Sequence, residues 1–238
     1  MINIKFKAIE DVLMNIQERL EEKFGDTIRC LILYGSWTKG TAKEDSDIDL
    51  LIVFNKADDD TRKSLYEIER KIDSKRSVTL VSASIEEFQK EKIPLFTAVK
   101  KEGKIIWGNA DFSINPEPPH IKYAEYFKKS REYESQKVKM AEEIIKEYSS
   151  YGSADLCFVA SKHAIQMFLA MKGLGYSSKV SVLLPLVKEH LGENTAHKFK
   201  KLFDLYVKAE YGIESLTEEE AKLAVEYARE ILRMCYGR

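Results

Sequence analysis

Cysteine is scarce in this chain, and the few present exclude two common ways of holding a small protein together. Cys30, Cys157 and Cys235 are odd in number, far apart and without C-x-x-C spacing. They make neither a zinc knuckle nor a disulfide framework, and they read as buried thiols in a reducing compartment. Charge of one sign is also missing. Lys and Arg number 38 against 39 Asp and Glu, a formal net charge of -1, which gives no global attraction to nucleic acid or membrane. No stretch approaches the ~18 consecutive apolar residues of a membrane span. The opening MINIKFKAIEDVLMNIQERL lacks the apolar core of a signal peptide. The expectation is a cytoplasmic protein with no membrane partner. Two ligand motifs are absent as well. No G-x-x-x-x-G-K-[ST] occurs. An EF-hand counted from Asp45 puts Leu50 where glycine is needed and Lys56 where the bidentate glutamate belongs.

Proline is sparse and concentrated. Three of the five lie in Asn115-Pro116-Glu117-Pro118-Pro119-His120, a segment that suits neither helix nor strand and reads as a boundary. The 238 residues, 44% hydrophobic, then divide into a domain over 1–114 and another over 120–238, each large enough for its own core.

Before the boundary, helix and strand patterns alternate. Phe6, Ile9, Val12, Leu13, Ile16 and Leu20 recur at helical spacing over 6–24. Strands are expected at 28–34, 47–54, 77–83 and 104–107, with helices at 59–73, after the Ser84/Glu87 capping box, and at 94–101. This is an α/β (α+β) unit with a small mixed sheet. After the boundary the pattern is wholly helical, a bundle over 121–149, 153–172, 179–191, 194–210 and 217–235. Ser153 fits an N-cap, Gly173 a C′ residue, and Thr217/Glu220 a second capping box. His163 and the Met and aromatic positions of 157–171 read as core.

The chemistry concentrates in LILYGSWTKGTAKEDSDIDLLIVF. A strand runs into Gly35-Ser36, ten residues separate Ser36 from Asp47, and Asp47 and Asp49 open the next strand. Alternate strand residues face one side, so both carboxylates can address one site. Mg²⁺ takes oxygen ligands shared between carboxylates and substrate phosphates. Glycine lets the backbone approach a triphosphate, the Ser36 hydroxyl can donate to it, and Lys39 adds a mobile positive charge.

This G-S-x10-D-x-D pattern, with Lys39-Gly40 inside it, resembles the nucleotidyltransferase superfamily, which includes minimal prokaryotic and kanamycin-type antibiotic nucleotidyltransferases. The resemblance implies that Gly35 and Ser36 hold the triphosphate of an NTP, with ATP expected, and that Asp47 and Asp49 bind Mg²⁺. It also implies transfer of a nucleoside monophosphate to an acceptor hydroxyl. The superfamily usually carries a third carboxylate on a neighbouring strand. In Val78-Thr79-Leu80-Val81 threonine stands at that place, and Asp73, Glu86 and Glu87 only flank the strand. Kanamycin-type enzymes can take a glutamate base from the second domain, a role open here to Glu142, Glu143 or Glu147, of which Glu143 is the choice.

The segments ADLCFVASKHAIQMFLAMKGLG, LFDLYVKAEYGIE and LTEEEAKLAVEYAREIL resemble HEPN helical bundles, with homodimerisation as one implied role. Catalytic HEPN ribonucleases use an Arg-x4–6-His motif. Neither His120, His163, His190 nor His197 has an arginine at that spacing, so no ribonuclease is expected. Lys208, Glu210 and Tyr211 occupy the matching region. The alternative to an active transferase is a catalytically weak, nucleotide-binding protein of toxin–antitoxin type.

Overall fold

The computed structural model describes residues 4–147, 152–175, 177–212 and 215–237. It divides into two compact units, Met1–Pro116 and Glu117–Arg238.

The first unit is built on four strands, β1 (Ile28–Tyr34), β2 (Ile48–Phe54), β3 (Val78–Ser84) and β4 (Lys104–Gly108), in the order β3-β2-β1-β4. β1 runs antiparallel to β2 and β4, and β2 runs parallel to β3. The sheet is mixed, as expected. Alternation from Cys30 onward in β1, and along β2, divides the central strands between two cores. Leu31, Leu33, Ile48, Leu50 and Ile52 pack under α1 (Glu10–Phe24) and α3 (Asp59–Glu69), through Leu13, Ile16, Leu20, Leu65 and Ile68. Cys30, Ile32, Leu51 and Val53 pack on the opposite face against Phe88 of α4 (Ile85–Lys90) and Phe96 and Val99 of α5 (Pro94–Glu102). A single turn, α2 (Ser36–Lys39), follows β1. The first helix differs from expectation in its start: Ile4–Ile9 is a 3₁₀ segment before α1, and the Phe6 side chain lies outside the described residues. The helix expected over 59–73 stops at Glu69, and the 70–73 stretch turns toward β3. Ser84 and Glu87 form the full reciprocal capping box.

The second unit is helical: α6 (Pro119–Lys122), α7 (Ala124–Glu147), α8 (Ser153–Met171), α9 (Val180–Leu191), α10 (Glu193–Tyr211) and α11 (Glu218–Tyr236). The helix expected over 121–149 is broken at Tyr123, where the chain turns and buries that ring in the bundle core. Its residues 148 and 149 lie outside the described residues. α8 is apolar on nearly all sides, and such a helix must be central. It packs against α7, α9, α10 and α11, with Cys157, Phe158, Ala160, Ala164, Ile165 and Met167 buried. Phe158 stacks on Phe199 and Tyr206, so these aromatics are core.

Two helix-end expectations separate here. Gly173 takes φ 75. The amides of Gly173 and Leu174 donate to the carbonyls of Ala170 and Leu169, which is a Schellman stop. Ser153 is not the N-cap; Gly152, at φ 80, holds that place and Ser153 is the first helical residue. His163 departs from the core reading too. Its side chain is 41% exposed, and its Nδ1 lies 3.2 Å from Oε1 of the buried Glu134. A carboxylate buried among helices needs such partners, and Lys137 supplies another at 2.9 Å. All three cysteines are buried and free, and burial pushes the Cys30 thiol up to about 11 and that of Cys157 to about 12.

Candidate active site

The site is built where β1 ends and β2 begins. Tyr34 pairs with Asp49 across these antiparallel strands. Gly35 then turns the chain with φ 76 and ψ -141, in the left-handed region that glycine adopts without penalty. The requirement is also one of space. A Cβ on Gly35 would lie 2.4 Å from Asp49 Oδ2 and 3.3 Å from its Cγ. Gly35 backbone and Asp49 carboxylate are thus packed together at one point. Among the described residues the Ser36 side chain has no hydrogen-bond partner, whereas its carbonyl accepts from Thr41 N–H at 3.0 Å.

The two aspartates are held differently. Asp49 lies inside the ladder, between Tyr34 on β1 and Thr79 on β3. Asp47, expected as the first residue of the strand, lies one residue before it. Its carbonyl accepts the Trp37 indole N–H at 3.0 Å. By alternation Asp49 and Thr79 share the face of Leu51 and Val81, where α4 and α5 pack. Thr79 is exposed. Neither Asp47 nor Asp49 has an ion-pair or hydrogen-bond partner for its carboxylate among the described residues. Burial, and secondarily the charge of Asp47, holds the Asp49 carboxyl above the usual carboxylate range. An acid kept partly dehydrated beside a second acid, with no cation of its own, has the electrostatics of a metal-ion site.

Lys39 is not the loose charge expected in this loop. Its ammonium lies 2.7 Å from Glu102 at the end of α5, both groups being about two-fifths exposed. Glu143 is exposed on α7 in the second unit. Its neighbour Glu142 pairs with Arg229 of α11, and the Glu147 side chain lies outside the described residues. Among the described residues no three His, Cys, Asp or Glu side chains cluster so as to hold a metal by themselves. Any ion here therefore takes most of its ligands from elsewhere. The sequence reading missed Trp37 and Arg76. The Arg76 guanidinium lies 5.7 Å from the Trp37 ring centre, and its Nε donates to the Glu44 carbonyl at 2.9 Å.

Two family models match this chain. Residues 14–112 match the model of the polymerase beta nucleotidyltransferase family, and residues 135–238 match that of the HEPN domain. The chain joins a nucleotidyltransferase domain to a HEPN domain. A Methanocaldococcus jannaschii protein, provisionally named a protein adenylyltransferase, is 40% identical over 47 residues, 20% of this chain and 32% of that protein. The protein adenylyltransferase MntA of Thermococcus cleftensis is 39% identical over 54 residues, 23% of this chain and 52% of its own. The chain thus spans a third to a half of the curated relatives it matches. In fold, the nucleotidyltransferase–HEPN chain is similar to the spectinomycin adenyltransferase AAD(9) of Enterococcus faecialis, crystallised with ATP and spectinomycin. The TM-score is 0.53 at 16% identity, over 94% of this chain and 99% of that one. Among the described residues no helix is long and apolar enough to cross a membrane.

Proposed function

We propose that the nucleotidyltransferase domain transfers a nucleoside monophosphate from an NTP to an acceptor hydroxyl in a Mg²⁺-dependent reaction. The observation that carries this reading is the pair Asp47 and Asp49, carboxylates without partners among the described residues, set against a Gly35 that leaves no room for a side chain. The residues fit Mg²⁺: two hard oxygen donors leave the remaining positions to phosphate and water, the usual arrangement for a metal shared with a nucleotide. Bound there, the ion would neutralise charge on the triphosphate and on the departing pyrophosphate.

The chain's own residues do the rest. Gly35 lets the backbone approach the phosphates, and the Ser36 hydroxyl is free to donate to them. Lys39 would leave Glu102 for a phosphate at small cost, since a half-exposed ion pair contributes roughly 0–1 kcal/mol. The acceptor oxygen forms a bond to the α-phosphorus as the bond from that phosphorus to the pyrophosphate oxygen breaks. The acceptor proton passes to a base, for which Glu143 is our candidate by resemblance to the kanamycin-type enzymes. The relatives named protein adenylyltransferases support ATP as donor and a protein hydroxyl as acceptor, and the location that completes this reading is cytoplasmic. A second copy of the chain, joined through the HEPN domain, completes the proposal.

One observation favours a second reading, a nucleotide-binding protein of toxin–antitoxin type with little turnover: Thr79 is neutral and stands beside Asp49. Incubation with α-³²P-ATP, Mg²⁺ and cell extract separates the two. Label on an acceptor, lost in Asp47→Asn and in Asp49→Asn, supports the transferase. Tight Mg²⁺–ATP binding without label supports the second reading. Absence of both defeats each.

A further inference from the structure

Asp47 presents a problem of position. Asp49 is fixed by strands on both sides, but Asp47 lies outside the ladder at the end of the loop 40–47. A loop end can move by ångströms, and a metal site tolerates far less. The proposed activity therefore needs something other than the sheet to hold Asp47.

Hydrogen bonds tie the loop's backbone along its length, among them Ser46 N–H to the Lys43 carbonyl at 3.2 Å. Thr41 N–H donates to the Ser36 carbonyl at 3.0 Å. Lys43 N–H donates to Ser46 Oγ at 2.7 Å, closing a tight turn. The Glu44 carbonyl accepts from Arg76 Nε, and the Asp47 carbonyl accepts from Trp37 Nε1. Two of these ties come from one stacked pair, because the Arg76 guanidinium lies over the Trp37 ring. Both partners are themselves anchored. The Trp37 ring packs on the core shared by α1 and α3. Arg76 is two residues before β3, and the next residue, Ser77, accepts the Ile48 amide at 2.9 Å. One side chain arrives from the turn after β1, the other from just before β3, and between them they tie the loop at Glu44 and at Asp47.

We propose that Trp37 and Arg76 form a clamp that positions Asp47 for the metal ion, so that both are positioning residues for nucleotide binding. This rests on the reading of Asp47 and Asp49 as the metal pair. The arrangement ties the Asp47 carbonyl and leaves its carboxylate unencumbered, which is what a positioned ligand requires.

The test uses the full chain in Trp37→Phe, Arg76→Ala and Arg76→Lys variants, with Asp47→Asn and Asp49→Asn as references. Trp37→Phe keeps an aromatic ring at this position and removes the N–H donor, together with part of the indole's packing on the core. Two quantities are measured: hydrogen exchange of the amides of 41–47 in metal-free protein, and calorimetric affinity for a non-hydrolysable ATP analogue with Mg²⁺ and with EDTA. The expected result is faster exchange at 41–47 and Mg²⁺-dependent affinity lower by about five- to tenfold, the scale of one lost hydrogen bond. Affinity in EDTA and melting temperature should stay near wild type, and Arg76→Lys should recover part of the loss. Faster exchange with undiminished Mg²⁺ dependence would overturn the clamp, as would unchanged exchange in both Trp37→Phe and Arg76→Ala. If the two aspartate variants bind Mg²⁺–nucleotide as well as wild type does, the metal reading fails instead, and the clamp fails with it.

Discussion

Thr79→Asp places a third carboxylate beside the proposed metal pair, and the sheet register makes its consequences calculable. Thr79 and Asp49 are directly paired on parallel strands and point to one face. Adjacent strands lie about 4.8 Å apart, so the new charge would sit roughly 5–6 Å from the Asp49 carboxylate. Coulomb repulsion at that distance is about 1–3 kcal/mol for an effective dielectric between those of water and the protein surface. Thr79 is exposed, so the penalty of burying a charge does not arise. Loss of a β-branched residue from the edge strand β3 adds up to about 1 kcal/mol. In EDTA the melting temperature of the variant should fall by roughly 5–15 °C. Mg²⁺ with ATP should reverse most of that fall, because the metal converts the repulsion into ligation. Stabilisation by a ligand present at about a hundred times its Kd is itself about 2.7 kcal/mol. Label transfer from α-³²P-ATP should rise by about tenfold or more, since a properly placed base or metal ligand contributes a factor of about a hundred upward. The assay pairs scanning calorimetry in EDTA and in Mg²⁺–ATP with label transfer. A melting temperature unchanged in EDTA would refute the electrostatic argument. A large fall that Mg²⁺–ATP does not reverse, with no gain in transfer, would refute the assignment of this face to the metal.

Three further outcomes are expected. Gly35→Ala forces a side chain onto Asp49 Oδ2 in a left-handed backbone; it should cost about 1–3 kcal/mol in urea denaturation and abolish Mg²⁺–ATP binding by calorimetry. Asp49 has a raised folded pKa, so its contribution to stability is present below the unfolded carboxylate pKa and is lost as pH rises through the folded value; in EDTA, Asp49→Asn should therefore gain on wild type in melting temperature between acidic and neutral pH, and equal melting curves across that range would contradict the shift. Lys100→Met removes the ammonium that pairs with the buried Glu91 and should destabilise the first unit by about 3–5 kcal/mol in urea, with part recovered by adding Glu91→Gln.

What could be read from the sequence was what depends on neighbours in sequence. Ser84 with Glu87, and Thr217 with Glu220, announce their capping boxes within four residues. The apolar runs of β1 and β2 announce buried strands, and the Gly35-Ser36 to Asp47-x-Asp49 spacing marks the candidate site. The register of β3 was also within reach, because once Thr79 is taken to lie beside Asp49, strand alternation does the rest. What escaped joins residues far apart. Arg76 meets Glu44 across 32 positions, and Asn115 N–H meets Glu91 across 24. Neither residue type nor spacing marks such a pair before the chain is folded. Ser153 misled for a different reason. Gly152 enters the helix from the left-handed region, so the N-cap lies one residue before Ser153 and this helix start has no side-chain cap. His163 misled because the acid it serves, Glu134, sits on another helix.

Two acids of the first unit show how hydrogen bonds separate structure from function. Glu91 is fully buried at φ 51, a strained conformation for a side chain other than glycine. Its carboxylate accepts from Thr97 at 2.5 Å, from Lys100 at 3.2 Å and from the Asn115 amide at 2.6 Å. Those bonds hold the segment leaving β4 against α4 and α5, and the charge is compensated within the fold. Asp49 is only partly buried, yet its carboxylate has no partner among the described residues and lies beside Asp47. Folding gains nothing from that arrangement, because dehydration and like charge both oppose it. A cation that binds the folded chain and not the unfolded one returns the lost stability by mass action. The carboxylate with fewest bonds is thus the one that points to a ligand, and the best-satisfied one explains only the fold.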